Sequence, residues 1–436
     1  MSVRFDRALG ALMTSVSGVD SGQPPASSPV CTRGAVVAAG SQAVVVAVMA
    51  VRCLAAMLFP AVRQVGWPDL VVALVAGVAL IVVLASGRPS LPRALAATAA
   101  MSFWLVTAVS ALAFDQPIPV AAVSMALTAA VLILGPSDSP WPLRIVILAG
   151  SLVALLSIVA GALSLSGAWS GGIYGTEVYQ RETFGLPALS GIAGHPNTLA
   201  QIVGLTLILA LAVALSTRAR GAVVLPVVAL IPLLWTQSRT SVAAALLAAA
   251  ALVLLIKLDR WRPWLVGVAL LVAVAPPLLW LRAGQFLPVD AIFTGRPIAW
   301  AASTMAAAVS PFLGQGPGVM SREFWRALGM SPDDQWQPLH AHNEVLETLA
   351  QAGLVGLACL LALTLVGVVV ALTRSGSNGR MCAAVFLFFG LQAGVEVPLG
   401  LTYFPAGYLL PTMVVAAMSY GGSLAWRSRS EAREGG

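Results

Sequence analysis

Long apolar runs follow one another along nearly the whole chain, and polar residues are confined largely to the short segments between them. A helix needs about 20 apolar residues to cross the hydrocarbon core of a bilayer. By this measure the pattern predicts about twelve transmembrane helices. The predicted spans cover residues 36–58, 69–87, 94–113, 117–135, 144–166, 196–216, 221–235, 238–257, 263–281, 344–372, 380–398 and 402–425.

The spans predict one all-α membrane domain over residues 36–426, between an N-terminal tail, residues 1–35, and a short C-terminal tail, residues 427–436. We expect the N-terminal tail to be disordered, because its Ser, Gly and Pro residues cannot bury enough apolar surface to fold. The longest connection, about 282–343, precedes the tenth span. Within it, residues 296–311 form an apolar stretch with a polar edge, which predicts a helix at the membrane interface.

The composition makes the bilayer the natural solvent for this chain. Hydrophobic residues make up 59% and charged residues 9%, whereas soluble domains carry about 25% charged residues. The net charge of +7 does not indicate nucleic-acid binding, because the basic residues are scattered singly or in pairs between apolar runs. The four cysteines form no CxxC pair, so we predict neither a disulfide nor a zinc site.

The distribution of charge predicts the orientation. If both termini lie in the cytoplasm, sixteen of the 24 basic residues fall in inner segments and seven in outer ones, as the positive-inside rule requires. All three histidines and eleven of the 17 acidic residues then fall on the outer side. We therefore expect the functional site to be extracytoplasmic.

Arg239 lies at the predicted start of a span, on the side that the positive-inside rule depletes of arginine. A cation there opposes the helix dipole, which favours anions at an N-terminus. A bound anion would compensate it, but so would snorkelling to the interface or pairing with an outer carboxylate. Arg296, in the long connection, is by itself explained by ordinary solvation of a loop.

The segment His340-Ala-His-Asn-Glu-Val-Leu-Glu347 opens the tenth predicted span. Asn343 is expected to cap the helix, and Glu344 and Glu347 suit its first turn electrostatically. His342 would stand just outside the helix, where a neutral imidazole suits a general base, although a surface histidine near a cap is the plainer interpretation. Residues two apart do not share a helix face, so we do not expect His340 and His342 to bind a metal together.

Two further segments carry weaker signals. His195-Pro-Asn197 precedes a span, with Pro196 suited to the first helical position and His195 or Asn197 to the cap. The string Gly314-Gln-Gly-Pro-Gly318 predicts a tight turn, or a close approach of the backbone to a ligand.

Taken together and in this order, these segments resemble the O-antigen ligase and polymerase superfamily of bacterial envelope glycan assembly. The resemblance covers about Arg181 to Gly356, and the flanking spans match only as apolar runs. The residues that carry it are Arg181 with Gly185, Gly194-His-Pro-Asn197, Ser238-Arg-Thr240, Gly295-Arg-Pro-Ile-Ala-Trp300, Pro311-Phe-Leu-Gly-Gln-Gly-Pro-Gly318 and His342-Asn-Glu-Val-Leu-Glu-Thr-Leu-Ala-Gln-Ala-Gly-Leu-Val-Gly356.

The resemblance implies a glycosyltransferase of the bacterial plasma membrane, which moves a glycan from an undecaprenyl-diphosphate-linked donor to a sugar hydroxyl of a glycan or glycolipid acceptor. It implies His342 as the catalytic histidine and Arg239 and Arg296 as the donor diphosphate-binding arginines. The spacing from Arg181 to Gly185 departs from the family pattern, which leaves the role of Arg181 open. Further residues that we expect at the substrate site are Arg181, His195, Asn197, His340, Asn343 and Glu347.

We expect this enzyme to need no cofactor and no metal, and to have lipid-linked glycans and membrane lipids, rather than nucleic acid, as its partners. Two alternatives stay open. A multi-span transporter of an anionic or glycan solute would show a mirrored charged site on the inner side. A non-catalytic subunit of an envelope complex would tolerate replacement of Arg239, Arg296 and His342. The sequence does not separate a ligase from a polymerase.

Overall fold

The computed structural model describes residues 33–59, 67–169, 173–174, 182–183, 186–217, 220–283, 296–320, 325–326, 340–400 and 408–421. In this part of the chain the fold is built almost entirely of α-helices. These are α1 (Arg33–Leu58), α2 (Trp67–Ser86), α3 (Leu91–Ala113), α4 (Val120–Leu134), α5 (Trp141–Leu165), α6 (Pro196–Thr217), α7 (Val224–Trp235), α8 (Arg239–Leu254), α9 (Arg262–Ala283), α10 (Arg296–Val309), α11 (Glu344–Thr373), α12 (Gly376–Ala393) and α13 (Leu409–Ser419).

Each predicted span contains or overlaps one of these helices, although α13 is much shorter than the predicted span 402–425. Helix α10 occupies the stretch predicted to lie at the interface. Within the described ranges, seven helices (α1, α2, α3, α5, α6, α9 and α11) are long and apolar enough to cross a membrane, while α4, α7, α8 and α13 are apolar but shorter. The all-α membrane class is therefore confirmed. The count of twelve spans, their orientation and the interfacial position of α10 stay predictions.

Two helix boundaries differ from the predicted ones. Helix α1 begins at Arg33, inside the predicted tail, and the rest of that tail lies outside the described residues. Helix α12 ends at Ala393, so Glu396 lies in a turn rather than in the predicted span 380–398. The C-terminal tail, residues 427–436, also lies outside the described residues.

Helix α6 forms the centre of the bundle. In its most apolar window 83% of the residues are buried, compared with 22% in α2. It packs against α5, α7, α8 and α12, because an almost uninterrupted apolar sequence allows contact on every side. Its first residues, Pro196 and Asn197, are consequently held inside the protein.

A small antiparallel sheet precedes α6, in the connection between the predicted spans 144–166 and 196–216. It consists of β1 (Ile173–Tyr174), β2 (Glu182–Thr183) and β3 (Leu186–Leu189), in the order β1-β3-β2. The side chain of Gln237 donates a hydrogen bond to Leu186 O at 2.8 Å, which ties β3 to the loop that leads into α8. Strands this short leave no alternating pattern, which is why the sequence did not predict them.

Helix α11 is broken at Gly353, where φ is +61° and ψ is −156°. The break leaves main-chain groups without helical partners, and the segment 311–318 supplies them. Leu354 N donates to Pro311 O at 2.8 Å, and the main-chain nitrogens of Gln315 and Gly316 donate to the last carbonyls of the first half-helix at 2.9 and 3.0 Å.

The glycines of this segment allow two backbones to touch. A Cβ on Gly314 would overlap the main chain of Gln351, and a Cβ on Gly353 would overlap that of Phe312. Close approach was one of the two interpretations of the Gly314–Gly318 string, but its partner is α11 rather than a ligand. The contact fixes the first half of α11 and the residues that precede it.

Candidate active site

A single buried carboxylate, that of Glu396, forms the centre of the site. Glu396 is 3% exposed and lies in the turn that follows α12. Its Oε1 accepts hydrogen bonds from Arg296 Nη2 and from Asn197 Nδ2, each at 2.8 Å. Its Oε2 lies 3.1 Å from His342 Nδ1. Residues from α6, from α10 and from the segment before α11 therefore meet at one side chain.

The position of His342 follows from its neighbour, Asn343. Asn343 Oδ1 accepts the Leu346 main-chain N–H at 3.0 Å, which confirms it as the cap of α11. Its Nδ2 donates to Gly394 O at 3.0 Å, so the start of α11 is fastened to the turn that carries Glu396. His342 has a φ of +50°. Non-glycine residues rarely adopt this conformation, and it persists only where the surroundings fix it.

His340 lies beside His342, with 3.9 Å between the ring centroids. Its Nδ1 accepts the His342 main-chain N–H at 3.2 Å. Burial, and then the neighbouring charge of His342, hold the pKa of His340 well below its ordinary value of 6.5. His340 is therefore neutral near pH 7 and acts as a hydrogen-bond acceptor.

The charge of Glu396 is set by its neighbours. Burial by itself would raise the pKa of Glu396, but the adjacent His342 and Arg296 outweigh it and hold that pKa well below its usual range. The side chain is consequently an ionised carboxylate throughout the physiological range. It balances Arg296 and can also stabilise a proton on His342.

His340, His342 and Glu396 each present one ligand atom within 4.8 Å of the others, so this group could hold a metal ion. The sequence predicted that His340 and His342 would not bind a metal together, because residues two apart lie on different faces of a helix. Residues 340–343 are not helical, so this restriction is lifted. Two imidazoles and a carboxylate suit a first-row divalent metal. Arg296 on the same carboxylate opposes a bound cation, however.

Arg239 is the first residue of α8 and is exposed. Within the described ranges its side chain makes no hydrogen bond or ion pair with another residue. The first turn of α8 is nevertheless linked by hydrogen bonds to the turn that carries Glu396. Ser241 Oγ donates to Gln392 Oε1 at 3.2 Å, and Gln392 O accepts the Glu396 main-chain N–H at 2.7 Å.

The remaining predicted residues, His195, Asn197, Glu347 and Arg181, differ in how close they lie to Glu396. His195 caps α6, since its Nδ1 accepts the Asn197 main-chain N–H at 3.2 Å, and the Asn197 side chain reaches Glu396. Glu347 is buried, and its Oε2 accepts the Ala341 main-chain N–H at 2.6 Å. Arg181 lies outside the described residues.

Sequence reasoning placed Glu396 on the outer side but did not name it as a site residue. A signal was present, because Glu396 is the single carboxylate in the apolar run 381–402. An ionisable group in such a run is expensive to bury and usually functional.

Comparison with known proteins gives one family match, over part of the chain. Residues 221–361 match a family model described as O-Antigen ligase, and this range contains Arg239, Arg296 and His342. No curated protein matches the chain. The matched range, together with the apolar helices, indicates a multi-pass bacterial membrane protein of the O-antigen ligase type that processes glycans. The match and the residues within it therefore place residues 221–361 of this chain in the O-antigen ligase and polymerase superfamily.

Proposed function

We propose that this protein transfers a glycan from an undecaprenyl-diphosphate-linked donor to a sugar hydroxyl at the outer face of the bacterial plasma membrane. The observation that carries the proposal is the contact of one buried carboxylate, Glu396, with both His342 and Arg296. Displacement of a diphosphate needs a base for the attacking hydroxyl and a cation for the leaving group. This arrangement provides both side by side.

His342 is the proposed general base. Glu396 Oε2 accepts a hydrogen bond from the Nδ1–H of His342. The other ring nitrogen, Nε2, is then available to take the proton of the acceptor hydroxyl. The acceptor oxygen forms a bond to the anomeric carbon of the donor. The bond from that carbon to the diphosphate oxygen breaks, and its electron pair stays on the leaving diphosphate. The energy comes from the donor bond, since ATP is absent outside the cell.

Arg296 and Arg239 are the proposed ligands of the diphosphate. Arg296 places a guanidinium beside Glu396, and this planar group suits bidentate binding of phosphate oxygens. Arg239 is exposed at the start of α8, where the free main-chain N–H groups also attract anions. We therefore expect Arg239→Lys to lose most of the activity, because lysine lacks the planar fork that binds phosphate bidentately.

We propose that the reaction needs no metal, because a cation on Glu396 would compete with Arg296 for the same carboxylate. Purified protein treated with EDTA is expected to keep its transfer rate. A rate that falls with EDTA and returns with one divalent ion would instead assign His340, His342 and Glu396 to a metal site.

The surface glycan of a deletion strain tests the proposed function. Complementation with the wild type should restore the glycan, and His342→Ala should not, although it is inserted and expressed normally. Loss of long chains with single repeats still attached would indicate a polymerase. Loss of all attachment, with long lipid-linked chains accumulating, would indicate a ligase. An unchanged glycan in the deletion strain, with no second gene compensating, would favour transport instead.

A further inference from the structure

Two arginines converge at the end of the bundle that is remote from the candidate active site. Arg93 lies in the first turn of α3, and its Nη2 donates to Ser137 Oγ at 2.8 Å. Arg374 directly follows α11, and its Nη1 occupies the space that a Cβ on Gly421 would need. Gly421 N donates to Ser137 O, and the same Cβ would lie 3.2 Å from the Ser137 Cβ. The two guanidinium groups are therefore gathered around Ser137.

Neither arginine is paired with a carboxylate among the residues that the structure describes. The hydrogen bonds of the Arg93 guanidinium go to two neutral oxygens, Gly135 O and Ser137 Oγ. Of the neighbouring charges, Arg374 repels Arg93 more strongly than Asp138 attracts it. Two like charges that are partly withdrawn from water repel each other more than they would in bulk solvent. An anion bound between them would compensate this repulsion.

Topology alone does not explain this pair. The positive-inside rule accounts for basic residues at the predicted cytoplasmic ends of helices, but not for the convergence of two of them. In the first turn of α3 the helix dipole favours an anion rather than the cation of Arg93. Arg93 and Arg374 are partly exposed at helix ends, unlike the buried Glu396, so a ligand can reach them from the surface. The arrangement is that of an anion site at the surface of the bundle.

The surroundings favour an anion that belongs to a lipid. Leu91 and Leu95, in the first turns of α3, are exposed, and so is Trp141 at the start of α5. The guanidinium of Arg144 lies over the Trp141 ring, 5.4 Å from its centroid. Exposed apolar residues next to tryptophan and arginine are typical of the level of the lipid headgroups. The predicted topology assigns this level to the cytoplasmic leaflet, where basic pockets between helices bind anionic headgroups.

We propose that Arg93 and Arg374 together bind the phosphate group of an anionic phospholipid of the cytoplasmic leaflet. Each guanidinium would donate to phosphate oxygens, so that two charge-assisted contacts replace the repulsion between the cations. The phosphate would thereby join the start of α3, the connection between α4 and α5 and the end of α11. This site is independent of the proposed glycan transfer, because neither arginine belongs to the candidate active site.

Native mass spectrometry of the purified full-length protein can measure this binding. The probe is phosphatidylglycerol, with zwitterionic phosphatidylcholine as the comparison lipid. Arg93→Gln and Arg374→Gln should each weaken the binding of phosphatidylglycerol about tenfold, because hydrogen bonds to charged groups are the stronger ones. Arg88→Gln is the matched control, since it removes the same charge from an exposed position five residues before Arg93. It should bind phosphatidylglycerol as the wild type does.

Gly421→Ala distinguishes a built site from simple charge attraction. The added Cβ would displace the Arg374 guanidinium without changing the net charge, so binding should again weaken. Gly87→Ala is the matched control, because a Cβ there has nothing within 4 Å. Binding by Gly421→Ala that equals that of the wild type would overturn the site, since charge alone would then account for the affinity.

Inorganic phosphate, added to the same proteins in detergent, distinguishes a lipid from a free ion. A lipid site predicts that phosphatidylglycerol raises the thermal midpoint of the wild type more than inorganic phosphate does, and that both arginine variants lose this effect. Stabilisation by inorganic phosphate without binding of phosphatidylglycerol would overturn the lipid as the ligand. Equal binding of both lipids, or equal affinity of the wild type and the two arginine variants for phosphatidylglycerol, would overturn the site itself.

Discussion

At the scale of single residues, the site depends on how one buried carboxylate is satisfied. An ionised side chain that is 3% exposed would be very costly without compensation. Glu396 is compensated by an arginine, an asparagine and a histidine at 2.8 to 3.1 Å. Removing its charge should therefore change both the orientation of His342 and its ability to accept a proton.

We expect Glu396→Gln to slow transfer by about 10²–10⁴-fold, the usual contribution of general acid–base catalysis. Glutamine keeps the volume but cannot stabilise an imidazolium. The measurement is the rate of transfer by purified protein at saturating substrates. Asp259→Asn, which alters an exposed ion pair with Arg262, is the control. A rate for Glu396→Gln within a few-fold of the control would show that His342 works without this carboxylate.

The lowered pKa of His340 predicts a loss of stability in acid. A histidine whose pKa is lower in the folded than in the unfolded protein stabilises the fold above its ordinary value of 6.5. That contribution is lost as the pH falls from 6.5 towards the lower folded value. The thermal midpoint of the protein in detergent should therefore decrease from pH 7 to pH 5.

The His340→Gln variant provides the comparison for this pH dependence. Its amide oxygen can still accept the His342 main-chain N–H, but it cannot be protonated in this range. Its thermal midpoint should fall less steeply between pH 7 and pH 5. Parallel curves for the two proteins would assign the acid sensitivity to another group.

The sequence predicted the chemistry of several residues but not their contacts. Asn343 was predicted as a cap because the residue type and the following acids identify a helix start, and this is confirmed. The convergence on Glu396 joins residues 199 positions apart, Asn197 and Glu396. A local pattern has no information about such a pairing, whereas the family resemblance pointed to His342 and the arginines.

At the scale of elements, α11 is two half-helices that are fixed by the segment 311–318. The break at Gly353 stays ordered because main-chain groups of that segment replace the missing helical bonds. The first half can then begin at Asn343 with its own direction. This is what places Glu347 at the main chain of Ala341 and His342 at the carboxylate.

We expect Gly353→Ala to destabilise the protein by at least about 1–3 kcal/mol, the cost of a strained backbone conformation. The added Cβ would also overlap the Phe312 main chain. Thermal unfolding in detergent is the measurement. Gly77→Ala is the control, because Gly77 lies within α2 and a Cβ there has nothing within 4 Å. Equal stability of the two variants would mean that the break is not required.

The sequence predicted the elements well, for a physical reason. A membrane helix must be apolar over its whole length, and the runs between polar segments therefore located most of the described helices to within a few residues. The last predicted span, 402–425, is the exception, because the helix described there is only Leu409–Ser419. The sequence did not predict the break in α11, because the residues around it, Leu349-Ala-Gln-Ala-Gly-Leu354, are also typical of a continuous helix. Its partner segment lies about 40 residues earlier, and only folding brings the two together.

At the scale of the whole molecule, the buried charges lie in one half of the bundle. The ionisable side chains of Arg, Lys, Asp and Glu that are buried within the described ranges are those of Arg52, Glu344, Glu347 and Glu396. All four belong to the half that the predicted topology places outside. A mirrored set in the other half, which a transporter would favour, is absent from these described side chains.

Labelling of single cysteines tests the predicted topology. In a variant without its four native cysteines, Pro117→Cys lies between α3 and α4 and should react with a membrane-impermeant thiol reagent in intact cells. Arg260→Cys lies between α8 and α9 and should react only after permeabilisation. Both positions are exposed, so access to the membrane side decides the result. The reverse pattern would place the proposed active site in the cytoplasm.

The broken α11 has a consequence for the biogenesis of the protein. Unpaired main-chain groups are costly in hydrocarbon, so α11 cannot rest in lipid as two separated halves. The segment 311–318 that pairs with it is synthesised first and is already present when α11 leaves the ribosome. We expect α11 to reach its final form only by docking on that segment, so that insertion of the tenth predicted span and formation of its break are one event. Glu396, which follows α12, would join the candidate site afterwards.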